Sequence, residues 1–174
     1  MSKNLNNIVM FACNQGGHFS QMMALKELFG KYNSVLVTDN IRATKEMPAL
    51  KDIGHIEYAM AMAEKRKKLS QNAKKGDSRL WFFSAYIKLF KECRGIVKKY
   101  SPAVIITTGS NIAVPLFIMG KLCGSKLIFI ETRAKVYSKS LTGKLIGMLA
   151  NEIFVQWPEM LKLYPRAKYC GTLV

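Results

Sequence analysis

Paired cysteines, long apolar runs and acidic side chains are what this 174-residue sequence is short of, and each shortage closes off a class of function. The four cysteines, Cys13, Cys93, Cys123 and Cys170, stand far apart with no paired spacing, so neither a zinc site nor a redox dithiol is expected. The longest uninterrupted apolar run, residues 112–120, contains Pro115 and reaches about half of the roughly 20 residues that a spanning helix needs. No transmembrane helix is expected. The apolar stretch at 8–13 is too short for a signal-peptide core and runs into Asn14-Gln15-Gly16-Gly17 rather than a small-residue cleavage site, which predicts a cytoplasmic chain. Acids are scarce: 11 Asp and Glu face 27 Lys and Arg, a formal charge of +16. With mean hydropathy at +0.05, a chain this basic and this apolar calls for anionic partners, whether nucleic acid, phosphate-bearing ligands or an acidic membrane surface.

What is present is ordinary globular usage, 49% hydrophobic and 22% charged, which excludes a disordered tail or a fibre. The length suits one domain over 1–174, burying roughly 70% of its unfolded surface, and leaves no room for two full lobes. Ile8-Val9-Met10-Phe11-Ala12-Cys13 reads as a buried strand ending at a glycine turn, and Met22, Leu25, Leu28 and Phe29 follow at helical spacing. Residues 34–38 and, more weakly, 56–58 read as further strands. Residues 64–79 carry seven bases and two acids with almost nothing to bury, which predicts an exposed basic loop or frayed helix inserted in the domain. A long amphipathic helix is expected over 80–100, with Phe83, Ile87, Phe90 and Val97 on its apolar stripe. Then come strands at 104–107, 126–131 and 152–156, with helices at 112–123 and 141–151 between them. Apolar strands alternating with helices predict an α/β fold, a Rossmann-like doubly wound parallel sheet covered on both faces.

In such sheets ligands gather beyond the carboxyl ends of the strands, which directs attention to three loops. In Asn14-Gln15-Gly16-Gly17-His18 the glycines let backbone amides approach an anion at a helix N-terminus, although the G-x-G-x-x-G dinucleotide pattern is absent. His18 stands at the loop's mouth, where imidazole either accepts a proton from a hydroxyl or merely caps and packs. Thr107-Thr108-Gly109-Ser110-Asn111 either cradles a phosphate or sugar, or supplies a helix N-cap through Ser110 or Asn111. Glu131, followed by Arg133 and Lys135, either orients a hydroxyl or ties down its loop through an ion pair. Lys65, Arg66, Lys67, Lys68 and Arg79 flank Trp81, Phe82 and Phe83. That segment is either a solvated charge run or a membrane contact in which each cation adds about 1 kcal/mol on anionic lipid.

Gly16-Gly17-His18, TTGSNIAVPL at 107–116 and above all the segment 131–172, with its Ser-Leu-Thr-Gly-Lys and Val-Gln-Trp-Pro-Glu stretches, carry a resemblance over nearly the whole chain. The sequence resembles the asparagine-linked-glycosylation protein fourteen family, in particular its bacterial capsule and exopolysaccharide relatives of the PssD and CpsF type. The resemblance implies the N-terminal, acceptor-binding lobe of a GT-B glycosyltransferase, whose nucleotide-sugar-binding catalytic lobe is a separate chain. It implies peripheral attachment at the cytoplasmic face of the membrane and transfer of galactose, glucuronate or N-acetylglucosamine to a lipid-diphosphate-linked sugar, undecaprenyl diphosphate being the bacterial carrier. By the same resemblance His18 is the candidate base and the Gly16-Gly17 loop faces the acceptor diphosphate. Thr108, Gly109, Ser110, Asn111, Glu131, Arg133 and Lys135 complete the substrate set, Lys135 standing where the family usually has arginine. No cofactor or metal is implied. A non-catalytic membrane adaptor that recruits and stabilises the catalytic chain is the alternative. Nucleic acid is not an expected partner, because the bases gather in one loop and no groove-reading module is present.

Overall fold

In the computed structural model the description covers residues 7–39, 44, 47–60 and 78–173, and the side chains of all of these except 49 and 78–81. The chain opens with β1 (Ile8–Ala12), whose apolar run has no polar face to turn to water. It lies in the middle of the sheet, paired in parallel with β2 (Asn33–Thr38) on one side and β4 (Val104–Thr107) on the other. β3 (His55–Tyr58) extends the sheet beyond β2, while β5 (Lys126–Ile130), β6 (Glu152–Val155) and β7 (Ala167–Tyr169) extend it beyond β4. Among the described residues the order is therefore 3-2-1-4-5-6-7, every pair parallel. The direction of travel reverses between β1 and β4, and the loops leaving those two strands part around a crevice.

The strand period of two sends alternate side chains to opposite faces. Met10, Ala12, Val35, Val37, Ile105, Leu127, Phe129 and Ile153 face α3 (Ser78–Tyr100), α4 (Ala113–Leu122) and α5 (Leu141–Ile146). Val9, Phe11, Leu36, Ile106 and Ile130 face the side of α1 (Gly17–Met23) and α2 (Glu27–Lys31). The expected single helix after β1 is thus two short ones, and the expected helix at 141–151 is one of six residues continued by a turn. On the second face an apolar hollow of about 300 Å³ lies open between Ile128, Phe154 and Leu173.

Helix α3 corrects the expected stripe. Its buried side is Ala85, Leu89, Cys93, Ile96 and Val97, whereas Phe83 is 66% and Ile87 44% exposed. Two residues out of step on a helix is about 200°, so the bulky residues at 83 and 87 point away and the small Ala85 and Cys93 let the helix seat closely. Lys65, Arg66, Lys67 and Lys68, with the rest of the basic insertion up to residue 77, lie outside the described residues. Arg79 and Trp81 fall on the first turns of α3, and Phe82 is exposed. Among the described residues no helix is long and apolar enough to cross a membrane.

Candidate functional site

The crevice between β1 and β4 is built by side chains reaching across strand ends. Asp39, just past β2, is buried and accepts from the Gln15 amide at 2.8 Å and from Asn14 Nδ2 at 2.5 Å. Asn14 Oδ1 then accepts from the Ser110 hydroxyl at 2.5 Å and from the Ile112 amide at 3.4 Å. The amide of Ile112, just before α4, is therefore satisfied by Asn14 from the neighbouring loop, and no side-chain cap from Ser110 or Asn111 is formed on α4. Asn111 Nδ2 is buried without a hydrogen-bond partner.

His18 occupies the first turn of α1, half-buried. Its Nδ1 lies 2.8 Å from the Thr108 carbonyl oxygen, and the Thr108 hydroxyl donates back to the His18 carbonyl at 2.8 Å. A carbonyl only accepts, so Nδ1 carries the proton of the neutral ring and Nε2 is left with its lone pair. Gly109 makes room for this ring. Its φ is +106°, and a Cβ there would stand 3.0 Å from His18 Cε1. Gly17, His18, Ser20, Gln21, Thr132, Arg133, Ala134 and Trp157 line a cleft of about 560 Å³.

The far wall hangs from Glu131, 1% exposed at the end of β5. Its Oε1 accepts from the Thr132 amide at 2.9 Å, and its Oε2 from the Ser140 amide at 3.1 Å and the Tyr164 hydroxyl at 2.6 Å. All three donors are neutral, so the carboxylate ties down the loop without the ion pair its basic neighbours suggested. Burial first, and the Glu131 carboxylate second, push the Tyr164 phenol up and keep it a donor. Gly143 is required beside this pair, since a Cβ there would collide with Tyr164 Oη and Glu131 Oε2. Gln21 joins the two walls. Its Oε1 accepts from the Arg133 amide at 3.1 Å and from Gln156 at 2.6 Å, while its Nε2 donates to the Gly17 carbonyl at 3.1 Å. Trp157 Nε1 donates to the Arg133 carbonyl at 2.8 Å.

Of the residues singled out in the sequence, Gly17, His18 and Arg133 meet at the cleft, and Gly16 forms the exposed turn before α1. Thr108 and Gly109 lie beneath the imidazole, Ser110 is bonded to Asn14, Glu131 is buried behind the wall, and Lys135 is exposed further along the same loop. Asn14, Asp39, Gln21, Gln156 and Trp157 are additions. Asn14 belongs to the glycine loop read in the sequence, and Gln156 and Trp157 to its Val-Gln-Trp-Pro-Glu stretch, but none of these was read as a site residue. Among the described residues no group of three or more His, Cys, Asp or Glu could hold a metal ion.

Known proteins supply a frame for this geometry. The family described as "Oligosaccharide biosynthesis protein Alg14 like" matches residues 8–173. The chain belongs to the Alg14-like family. Among relatives, the rat protein named UDP-N-acetylglucosamine transferase subunit ALG14 is 22% identical over 95% of this chain and 82% of its own. The Candida albicans protein of the same name is 35% identical over 44% of this chain and 37% of its own, and that of Kluyveromyces lactis is 46% identical over 29% and 21%. The chain thus spans well under half the length of these two fungal relatives. In three dimensions it resembles Acinetobacter baumannii MurG, with a TM-score of 0.60 at 15% identity over 88% of this chain and 42% of that one. A Rickettsia africae glycosyltransferase gives 0.58 at 14% identity, over 95% and 43%. The Alg14-like fold is therefore a Rossmann-like lobe of the kind found in GT-B glycosyltransferases, matching less than half of each of those chains.

Proposed function

We propose that this Alg14-like chain is the acceptor-binding, membrane-associating subunit of a two-chain glycosyltransferase. The observation that carries the reading is the imidazole held by Thr108 with its free Nε2 at a cleft on the sheet's ligand edge. The printed names of the relatives, each a transferase subunit, support a catalytic partner chain. In the reaction an acceptor sugar hydroxyl attacks the anomeric carbon of the donor. The new carbon–oxygen bond forms as the bond to the nucleoside diphosphate breaks, and Nε2 takes the hydroxyl proton. The Gly16-Gly17 amides and the Arg133 guanidinium face the acceptor's lipid-linked diphosphate, with Lys135 further out as a point charge.

The acceptor is a lipid-diphosphate sugar, undecaprenyl-linked in a bacterial capsule or exopolysaccharide setting, at the cytoplasmic face of the membrane. The donor carries N-acetylglucosamine, galactose or glucuronate, of which N-acetylglucosamine agrees with the names of the relatives. Peripheral attachment uses the basic segment with Trp81 and Phe82. The test is reconstitution with the co-purified partner chain. His18→Ala is expected to lower kcat by about 10²–10⁴ while the two chains still assemble. Unchanged turnover would leave a non-catalytic adaptor, and full activity of the single chain would remove the split enzyme.

A further inference from the structure

Helix α5 is anchored on one side and bare on the other. Inward, Ile146 and Ala150 are buried and Gly143 and Gly147 lie against Tyr164. Outward, Leu141 is 76% and Leu145 51% exposed on α5, Met148 in the turn that continues it is 82% exposed, and Tyr137 in the preceding loop is 81% exposed. Large apolar side chains aligned on a rigid face and open to solvent mark an interaction surface. Its charge says of what kind. From Glu131 to Glu152 the chain carries Arg133, Lys135, Lys139 and Lys144 and no intervening acid. Beside the ridge, Lys139, Lys144 and Arg166 border a groove of about 260 Å³ with Met148 and Tyr164 in its walls, and Lys139 Nζ stands 4.4 Å over the Tyr164 ring.

We propose that this ridge and groove dock on anionic phospholipid, the apolar side chains entering the headgroup boundary and the three cations taking lipid phosphates. The chemistry is that of an interfacial amphipathic surface: apolar anchors, a tyrosine at the boundary and cations that form no ion pair among the described residues. The surface is distinct from the basic insertion and from Phe82 on α3, and it adjoins the cleft. Thr142 Oγ1 donates to the Ser110 carbonyl at 3.3 Å, so the start of α5 is fixed at the sheet's ligand edge. Docking here brings the cleft mouth to the membrane plane, where a lipid-linked acceptor is found. The inference rests on the membrane side of the proposed function and adds to it a second contact surface.

Co-sedimentation of the full chain with vesicles of phosphatidylcholine, alone or mixed in equal parts with phosphatidylglycerol, tests it. The parent is expected to bind the anionic vesicles in a salt-sensitive way. Combined Leu141→Ser, Leu145→Ser and Met148→Ser should weaken that binding about tenfold or more, and Lys144→Gln about fivefold. A Leu145→Trp chain, read as a difference spectrum against the parent, should shift its emission to the blue only with anionic vesicles. If the serine variant binds like the parent while Phe82→Ser and Phe83→Ser abolish binding, the ridge is overturned and membrane association stands. If the parent ignores anionic vesicles, membrane association fails and the ridge with it. If the serine variant binds vesicles normally but no longer captures the partner chain, the ridge is a protein interface and the lipid proposal is overturned.

Discussion

The two walls of the cleft hang from carboxylates, and they hang differently. The wall after β1 is held from outside: Asp39, at the edge of the crevice, grips Asn14 and Gln15, and Asn14 passes the constraint to Ser110. The wall after β5 is held from within, by Glu131 bonded to both ends of its own loop and to Tyr164. One carboxylate is a brace between neighbouring strands, the other a buried hub. Neither lines the cleft, whereas His18 does. These two acids, among the described residues, brace the loops that form its walls.

The sharpest way to break that comparison is to remove each anchor. Glu131→Ala leaves two half-buried backbone amides and a buried phenol without their acceptor, at an expected cost of about 3–5 kcal/mol. The midpoint of thermal unfolding should fall by about 10 °C or more. A loss under about 1 kcal/mol would show that water replaces the carboxylate and that the hub is no hub. Asp39→Ala removes the acceptor of two donors, of which the Gln15 amide regains water while Asn14 Nδ2 stays buried, and should cost about 1.5–3 kcal/mol. Its signature is local. Amide exchange should rise at residues 14–17 and stay unchanged at 132–140, whereas Glu131→Ala should reverse that pattern. Equal exchange in both loops would mean that the Gln21 bridge, rather than the carboxylates, sets the shape of the cleft.

How much of this could be read from the residues follows from the range over which each feature is specified. β1, β4 and β5 are legible because a central parallel strand is a nearly continuous apolar run, a purely local pattern. β7 is three residues, Ala-Lys-Tyr, whose place depends on pairing with β6, and no local pattern marks it. The stripe on α3 is not fixed by periodicity because the helix opens on the consecutive apolar residues Leu80-Trp81-Phe82-Phe83, which offer more than one line of bulky side chains. At the site, the glycine loop, His18 and the Arg133 loop are visible as strand-end motifs. Gln21 and Gln156 are not, since their bond joins residues 135 positions apart and glutamine has no preferred place in either element. The role of Glu131 was half legible. The residue stands out, but that neutral donors rather than cations satisfy it depends on Tyr164, 33 residues on.

A third carboxylate calibrates the other two. Glu57 on β3 accepts from Lys99 and from the Tyr100 hydroxyl, both at 2.6 Å, at the end of α3 and in reach of solvent. The hydrogen bonds from Lys99 and Tyr100, in that order, hold its carboxyl below the ordinary value. A lowered folded-state pKa means the charged form is favoured by folding. The contribution is present above the unfolded carboxylate's pKa and is lost as pH falls through the lowered value. Screening limits it to less than about 1 kcal/mol, so Glu57→Gln should shift the unfolding midpoint slightly at neutral pH and not at all in acid. High salt should shrink the shift further, while the Glu131→Ala and Asp39→Ala losses, made in buried surroundings, should hardly respond to salt. If Glu57→Gln instead cost as much as Asp39→Ala, exposure would not be what grades these anchors, and the contrast between brace and hub would need another cause.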